Sequence, residues 1–352
     1  MSFVNARRIS ARALLTAAVA GATLCSIGVA MPAWSQDRAW MDPKLLAAAK
    51  QEGKLTFYSS INEAEGLPIL KVFEDATGVK VEYVRNSDSG LLSRIMVENR
   101  AGKQSWDVIQ TTAVNKMPQE LLAKIDPSEA KHIDAGAKDP AGKWYGVYAN
   151  YNTPAYNTSR VKASDLPKTY EELATKKEWA GKIAIDYSDN EWIAAMYKHY
   201  GDAKGAQIVK DIVKNLKPAV AKGHLALARS VGAGEYDVSL NNYLNLTLNV
   251  KLSGGPIDFW VMDPVAVFYG QVGVNAKAPN PNAARLLANF MLSKEGQTAL
   301  TARGRIPTRE DVESNPPGIL KALQGHKIVP VTLSPQEENK WQKVFKEQFD
   351  VR

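Results

Sequence analysis

With 352 residues, 44 basic against 37 acidic side chains and one cysteine, the chain is long enough for two domains and has no charge excess of the size that nucleic acid demands. Its lysines alternate with acids, as at Lys71 beside Glu74 and Asp75, and form no stripe interleaved with aromatics, which excludes a nucleic-acid partner. The lone cysteine, Cys25, excludes an internal disulfide and a thiolate metal cluster.

The first 35 residues read as a secretory signal peptide. Arg7, Arg8 and Arg12 form a basic start, an alanine-rich apolar run covers residues 13–30, and Ala33-Trp34-Ser35 is a small-x-small cleavage site. A transmembrane anchor fits less well, because the run is short, rich in Ala and Gly, and followed by no stop-transfer charges. The residues after Arg7-Arg8 match a twin-arginine signal poorly, so a Sec-type route is expected. Leu24 stands where a lipoprotein needs a small residue before Cys25, which argues against lipidation. Cleavage near Ser35 leaves 41 basic and 37 acidic residues and no cysteine, so no cysteine nucleophile either.

The remaining chain alternates helices and strands. Asp42-Pro43 opens a helix over 43–51, stopped by Gly53, and residues 54–58 alternate as a strand. After the loop 59–62, residues 63–77 form an amphipathic helix through Leu67, Leu70 and Phe73, closed by Gly78. A strand at 79–84, a polar loop at 86–90 and a helix at 91–99 repeat the unit, and a third strand at 106–109 ends in Gln110-Thr111-Thr112. The aromatic run 144–156 reads as extended chain broken by Pro154. A second αβα segment follows: helix 169–175, strand 182–185 ending in Asp186-Tyr187-Ser188, helices 192–200 and 206–216, and strand 237–240 leading to Asn241-Asn242-Tyr243. Residues 258–269 return as extended chain, and helices are expected at 282–292 and 294–303. Strands alternating with helices make parallel sheets with helices on their faces, an α/β fold.

In such sheets ligands sit at the carboxyl ends of the strands. Here those ends carry Ser59, Ser60 and Asn62, then Ser87 and Ser89, then Thr111 and Thr112, all small polar groups. Capping of the following helix is the competing explanation for any one of them. There is no nucleophile elbow, P-loop or HExxH motif, and His132, His199, His224 and His326 stand at no metal or catalytic spacing. Surface or capping roles are expected for all four.

The segments EGKLTFYSSINEAEGLPILKVFEDATGVKVEYV, SWDVIQTT, GEYDVSLNNYLN and APNPNAARLLANFMLSKEGQTAL resemble the bacterial extracellular solute-binding proteins related to periplasmic ferric-ion-binding proteins. The resemblance implies a type 2 periplasmic-binding fold: two lobes, each a mixed, mostly parallel sheet flanked by helices, joined by two hinge strands near Tyr148 and Asp263. Residues 36–148 would form the first lobe, 149–257 the second, and 258–352 the return to the first lobe with the C-terminal helices. It implies a periplasmic protein, a monomer without cofactor or catalysis, which hands a small molecule to an inner-membrane ABC permease. An exported hydrolase, the reading from another class, would need a general base and nucleophile for which the sequence offers no pair.

Ferric binders of that family use a histidine, a glutamate and two adjacent tyrosines. Those places hold Asn62, Thr112 and the pair Tyr243-Leu244, and a basic anion-holding residue is replaced by Met262. Ferric ion wants several anionic oxygens, and Tyr243 is the one family ligand that remains. The expected cargo is therefore a small oxygen-rich organic anion or zwitterion, with iron as the alternative. Its binding residues would be the first-lobe tips named above with Tyr151, Tyr187, Ser188, Arg229, Asn242 and Tyr243. Asp88 would repel a simple anion and, if turned inward, would greet an ammonium group. Tyr148, Trp192 and Trp260 are aromatics expected near the cleft or in core packing.

Overall fold

A computed structural model of the protein describes residues 38–351; the expected signal peptide and Cys25 lie outside the described residues. Asp42 caps the first helix, α1 (Pro43–Glu52), by accepting the Leu45 N–H at 2.8 Å, and Gly53 ends it in the left-handed region. Strand β1 (Lys54–Ser59), helix α2 (Glu63–Thr77), strand β2 (Lys80–Arg85), helix α3 (Asp88–Arg100) and strand β3 (Val108–Thr111) follow. Helix α3 begins three residues earlier than its apolar pattern, because the Ser87 hydroxyl accepts the Gly90 N–H and draws Asp88 and Ser89 into the first turn. Both β2 and β3 run parallel to β1, so their carboxyl ends meet along one edge.

Strand β4 (Trp144–Asn157) runs straight through Pro154, against the expected break. Proline has no N–H to give to a ladder, and the register shift between Thr153 and Ala155 leaves it unpaired in a bulge. The second lobe follows: α4 (Tyr170–Leu173), β5 (Ile183–Asp186), α5 (Asn190–Tyr200), α6 (Asp202–Leu216), β6 (Ala219–Ala221), α7 (His224–Ala233), β7 (Val238–Tyr243) and α8 (Leu244–Leu252). The chain then makes β8 (Ile257–Phe259), β9 (Val265–Val274), α9 (Pro281–Leu292), α10 (Lys294–Thr301), α11 (Ile319–Leu323), β10 (Ile328–Pro330) and α12 (Pro335–Phe349).

The strand order β2-β1-β3-β9-β4-β7-β5-β6, with β10 beside β9 and β8 beside β4, makes a mixed sheet shared by two lobes. Residues 144–151 of β4 pair antiparallel with β9, whereas from Asn152 onward β4 pairs with β7. The hand-over between Tyr151 and Asn152 is thus the seam between the lobes. Gly270 on β9 lies under the Tyr148 ring, where a Cβ would sit 2.2 Å from a ring carbon, so the phenol can lie flat on the strand only over glycine.

Each lobe has its own core. The first packs Trp40, Phe73 and Phe290 with ring centroids 5.2 to 6.2 Å apart among Phe57, Leu286 and Leu287. The second is built on Tyr170, Trp192, Ile208 and Ile212, and Trp192 and Trp260 serve that packing. Helix α12, expected with the first lobe, instead buries Phe345 and Phe349 in the second-lobe core against α5 and α6. Its far side reaches back: Glu338 lies 2.5 Å from Lys116 of the first lobe.

Phe290 is fully buried, so Phe290→Ala should cost about 3–5 kcal/mol through lost transfer energy and the cavity left behind. Urea denaturation followed by circular dichroism checks this.

Candidate functional site

The first-lobe tips are more tightly committed to local bonds than their hydroxyl pattern implies. Ser59 is fully buried; its hydroxyl donates to Gln110 Oε1 at 2.7 Å and accepts the Ile61 N–H, so it fastens the loop from below. Asn62 caps α2, with Oδ1 accepting the Glu65 N–H and Nδ2 donating to Glu65 Oε1 at 2.5 Å. Ser87 caps α3, and Ser89 Oγ stands 3.5 Å from its hydroxyl. Ser60 is half-buried and its N–H donates to the Gln110 carbonyl.

The two threonines converge on one group. Thr111 donates its hydroxyl to Asp88 Oδ1, and Thr112 donates to Asp88 Oδ2 at 2.5 Å. Asp88 is therefore held in place at the meeting point of β3 and α3. Behind it, Arg305 bonds Glu65 at 2.8 Å and lies 4.6 Å over the Tyr148 ring, while Gln110 Nε2 donates to the Tyr148 hydroxyl at 3.4 Å. Burial raises the Tyr148 pKa, Arg305 opposes the rise and Asp88 adds to it. Arg305 was missed in the sequence because it lies in a loop far along the chain; Ile306 bridges Ala149 and brings it here.

In the second lobe the turn from β5 to α5 is a buried network. Asp186 accepts the Ser188 N–H at 3.0 Å, the Ser188 hydroxyl at 2.5 Å, and the Gly223 N–H that precedes α7. Asp189 Oδ1 lies 2.7 Å from His224 Nε2 and accepts from Asn241 Nδ2 at 2.8 Å. His224, expected at the surface, is buried and stacks on Tyr243 with centroids 3.7 Å apart and planes 15° from parallel. Asn242, fully buried, donates to the His224 carbonyl and accepts the Tyr243 N–H. Tyr187 is exposed beside this network.

Tyr243 joins the two halves. Its half-buried ring meets Phe268 of β9 edge-on at 5.1 Å. Its pKa is raised well above the ordinary phenol value by burial and then by Glu191, Asp189, Asp186 and, from the other lobe, Asp88. Burial likewise pushes Glu191 up to about 7, with Asp189 adding to the rise and Lys116 opposing it. Leu244, at the second tyrosine place of the ferric binders, is fully buried in apolar packing with Leu248 and Ile306. Among the described residues, no three His, Cys, Asp or Glu side chains converge as a metal-holding group.

Polar atoms without partners mark the floor. Both side-chain atoms of Asn152, which pairs with Tyr243 across the ladder, are buried with no hydrogen-bond partner, as are Oδ1 of Asn190, Asn241 and Asn245. Helices α5, α7 and α8 all begin without a side-chain cap bond. Buried unpaired groups are costly, so these positions call for water or a polar ligand.

Two expected residues are placed elsewhere. The cleft face of β4 and β9 carries Asn152 and Phe268, and Tyr151 lies on the opposite face with Tyr269, by the alternation of the strand. Arg229 is exposed in a groove between α7 and α8, lined also by Leu225 and Asn249. Of the other histidines, His326 pairs with the half-exposed Asp263 at 2.9 Å and His199 packs edge-on against Tyr200.

This architecture is matched by known proteins. The family model described as "Bacterial extracellular solute-binding protein" matches residues 69–324. The chain belongs to that family. It is 27% identical over 315 residues to the major ferric iron-binding protein of Neisseria meningitidis serogroup B, covering 83% of this chain and 92% of that protein. It is 27% identical over 260 residues to a putative 2-aminoethylphosphonate-binding periplasmic protein of Salmonella typhi, covering 68% and 73%. The crystal structure of iron-bound HitA from Pseudomonas aeruginosa aligns with a TM-score of 0.67 at 23% identity, over 84% of this chain and 99% of that one, which establishes the two-lobed fold.

Burial disfavours the His224 imidazolium, but Asp189 and Asp186 outweigh it and raise its pKa above the ordinary 6.5. A raised histidine stabilises the fold fully below its unfolded pKa and loses that contribution as pH rises through the folded value. The stability advantage of wild type over His224→Asn should therefore be full below about pH 6.5, the unfolded value, and shrink as pH rises above it in urea titrations.

Proposed function

We propose that this solute-binding protein captures a small zwitterion between its lobes, after export to the periplasm, and delivers it as a monomer to an inner-membrane ABC permease. The observation that carries the reading is Asp88, fixed by Thr111 and Thr112 and within electrostatic reach of Tyr243 in the other lobe. A carboxylate so held attracts an ammonium group, and Glu191 supplies a second one from the other lobe. A ligand with phosphate or carboxylate alone would meet both charges as repulsion. The acid end of a zwitterion is served by the start of α8, which has no side-chain cap bond, with the unpaired Nδ2 of Asn152 as a donor. An aminophosphonate or amino acid has this pair of groups, and one of the relatives carries such a name.

Calorimetry with 2-aminoethylphosphonate and a panel of amino acids, against ethylphosphonate as the ammonium-free control, tests the reading. At least one zwitterion should bind, ethylphosphonate should not, and Asp88→Asn should weaken binding about tenfold or more, the worth of one charge-assisted bond. Equal binding of ethylphosphonate would sink it.

Glu191 adds a pH signature. With its pKa near 7 it is partly neutral at neutral pH, so an ammonium ligand should bind more tightly as pH rises from about 6 to about 8. Asp189, Lys116, Glu338 and Tyr243 also face this group, so the control is Glu191→Gln, which should flatten the profile.

The ferric reading has one observation in its favour: Tyr243 is ringed by carboxylates that a cation would neutralise. Against it, Leu244, Asn62 and Thr112 replace three of the four family donors. Iron loading should leave the protein colourless, whereas a visible phenolate charge-transfer band would favour ferric cargo.

A further inference from the structure

Behind the hinge, on the face of β4 and β9 turned away from the cleft, lies a cavity of about 640 Å³. Tyr151 and Tyr269 form its floor, and Leu320, Leu323 and Ile328 line its side. Neither phenol is held by a hydrogen bond among the described residues. Asp134 stands at the same wall, where its Oδ1 and the Tyr269 hydroxyl lie 3.1 and 3.2 Å from the point a Gly136 Cβ would take. Burial and then Asp134 push the Tyr151 pKa up to about 12 and raise Tyr269 as well, which places this carboxylate within electrostatic reach of both rings. Glu310 adds a second acid. Arg309 is consumed by Glu129 at 2.5 Å and Asp311 at 2.8 Å, which leaves Lys321, exposed at the rim, as the remaining base.

The cavity lies across the seam between the lobes. Thr308 donates its hydroxyl to the Gly146 carbonyl at 2.8 Å and Arg309 is tied to Glu129, so this wall moves with the first lobe. Leu323 of α11 packs with Leu244 and Leu248 of α8 and also with Ile306, which bridges Ala149, so the opposite side touches both lobes. The floor residue Tyr151 is the last on β4 paired to β9 before the strand changes partners. Opening the cleft in front of such a hinge narrows the space behind it, and an occupant there resists opening.

We propose that this cavity is a second small-molecule site, distinct from the inter-lobe cleft, that takes a hydrophobic primary amine and favours the closed arrangement of the lobes. The ammonium is received by Asp134 and the two phenol oxygens, and the apolar body packs on the tyrosine rings, Leu320 and Leu323. A rigid apolar pocket with a few convergent polar groups is the usual form of such a site. Coupling to the cleft is reciprocal, because both ligands act on the same hinge equilibrium.

Calorimetry with tryptamine as the probe, and indole-3-acetate as its anionic counterpart, tests the assignment on the full chain. Tryptamine should bind wild type and should bind Asp134→Asn about tenfold more weakly, since asparagine keeps the cap to the Gly136 N–H but loses the charge. Binding should vanish in Leu320→Trp, where the indole fills the space. Absent binding, equal binding of indole-3-acetate, or undiminished binding in Leu320→Trp would overturn the site, the last by placing the amine elsewhere. Small-angle X-ray scattering reads the coupling: tryptamine should lower the mean radius of gyration of wild type but not of Leu320→Trp, and an unchanged wild-type radius overturns it.

Discussion

The pairing of one strand with two partners in succession organises this molecule. Strand β4 gives its first eight residues to β9 and its remainder to β7, so the lobes share a backbone ladder and not merely a linker. A ladder of this kind transmits orientation, because every residue on it faces a defined side. Asn152 and Phe268 therefore look into the cleft toward Tyr243, while Tyr151 and Tyr269 look out behind it. The bulge at Pro154 lets the strand change partners without leaving a buried N–H unpaired, since proline has none to leave.

Around that seam the protein gathers carboxylates, and burial sets what each can do. Asp186 and Asp189 are almost fully buried and are answered by backbone N–H groups, Ser188, Asn241 and His224. Asp189 holds His224 flat against Tyr243. Glu191 has fewer partners and burial pushes its pKa up to about 7, and Asp88 is fixed in place by accepting two threonine hydroxyls. The result is a cleft with two carboxylates near a phenol and, below them, the unpaired Nδ2 of Asn152 and the uncapped start of α8. Charge of one sign above and partial charge of the other below is the pattern a zwitterion complements.

The lobes also touch outside the cleft. Helix α12 belongs to the second-lobe core by Phe345 and Phe349, yet Glu338 on it reaches Lys116 of the first lobe. A part-exposed ion pair adds little net stability, and its breakage on opening is correspondingly cheap. Such a contact ties the lobes together in this arrangement without locking them.

Much of the architecture was legible in the sequence, because helix starts and strand periods are local properties. Asp42-Pro43, Asn62 and Ser87 cap helices through bonds that span three residues, and Gly53 and Gly78 end them through their own dihedrals. The candidate site was legible in part for the same reason: Thr111, Thr112 and Asn242-Tyr243 follow strands whose ends gather at one edge in an α/β sheet. Tertiary packing decided the rest. Nothing local distinguishes a serine hydroxyl that caps a helix from one that waits for a ligand, so Ser59, Ser87 and Ser188 could not be sorted until their partners were seen. Tyr151 was assigned by a one-residue alternation that only the register with β9 makes absolute. His224 and Arg305 carry no motif at all, since their partners Asp189 and Glu65 lie 35 and 240 residues away and only the folded chain brings them together.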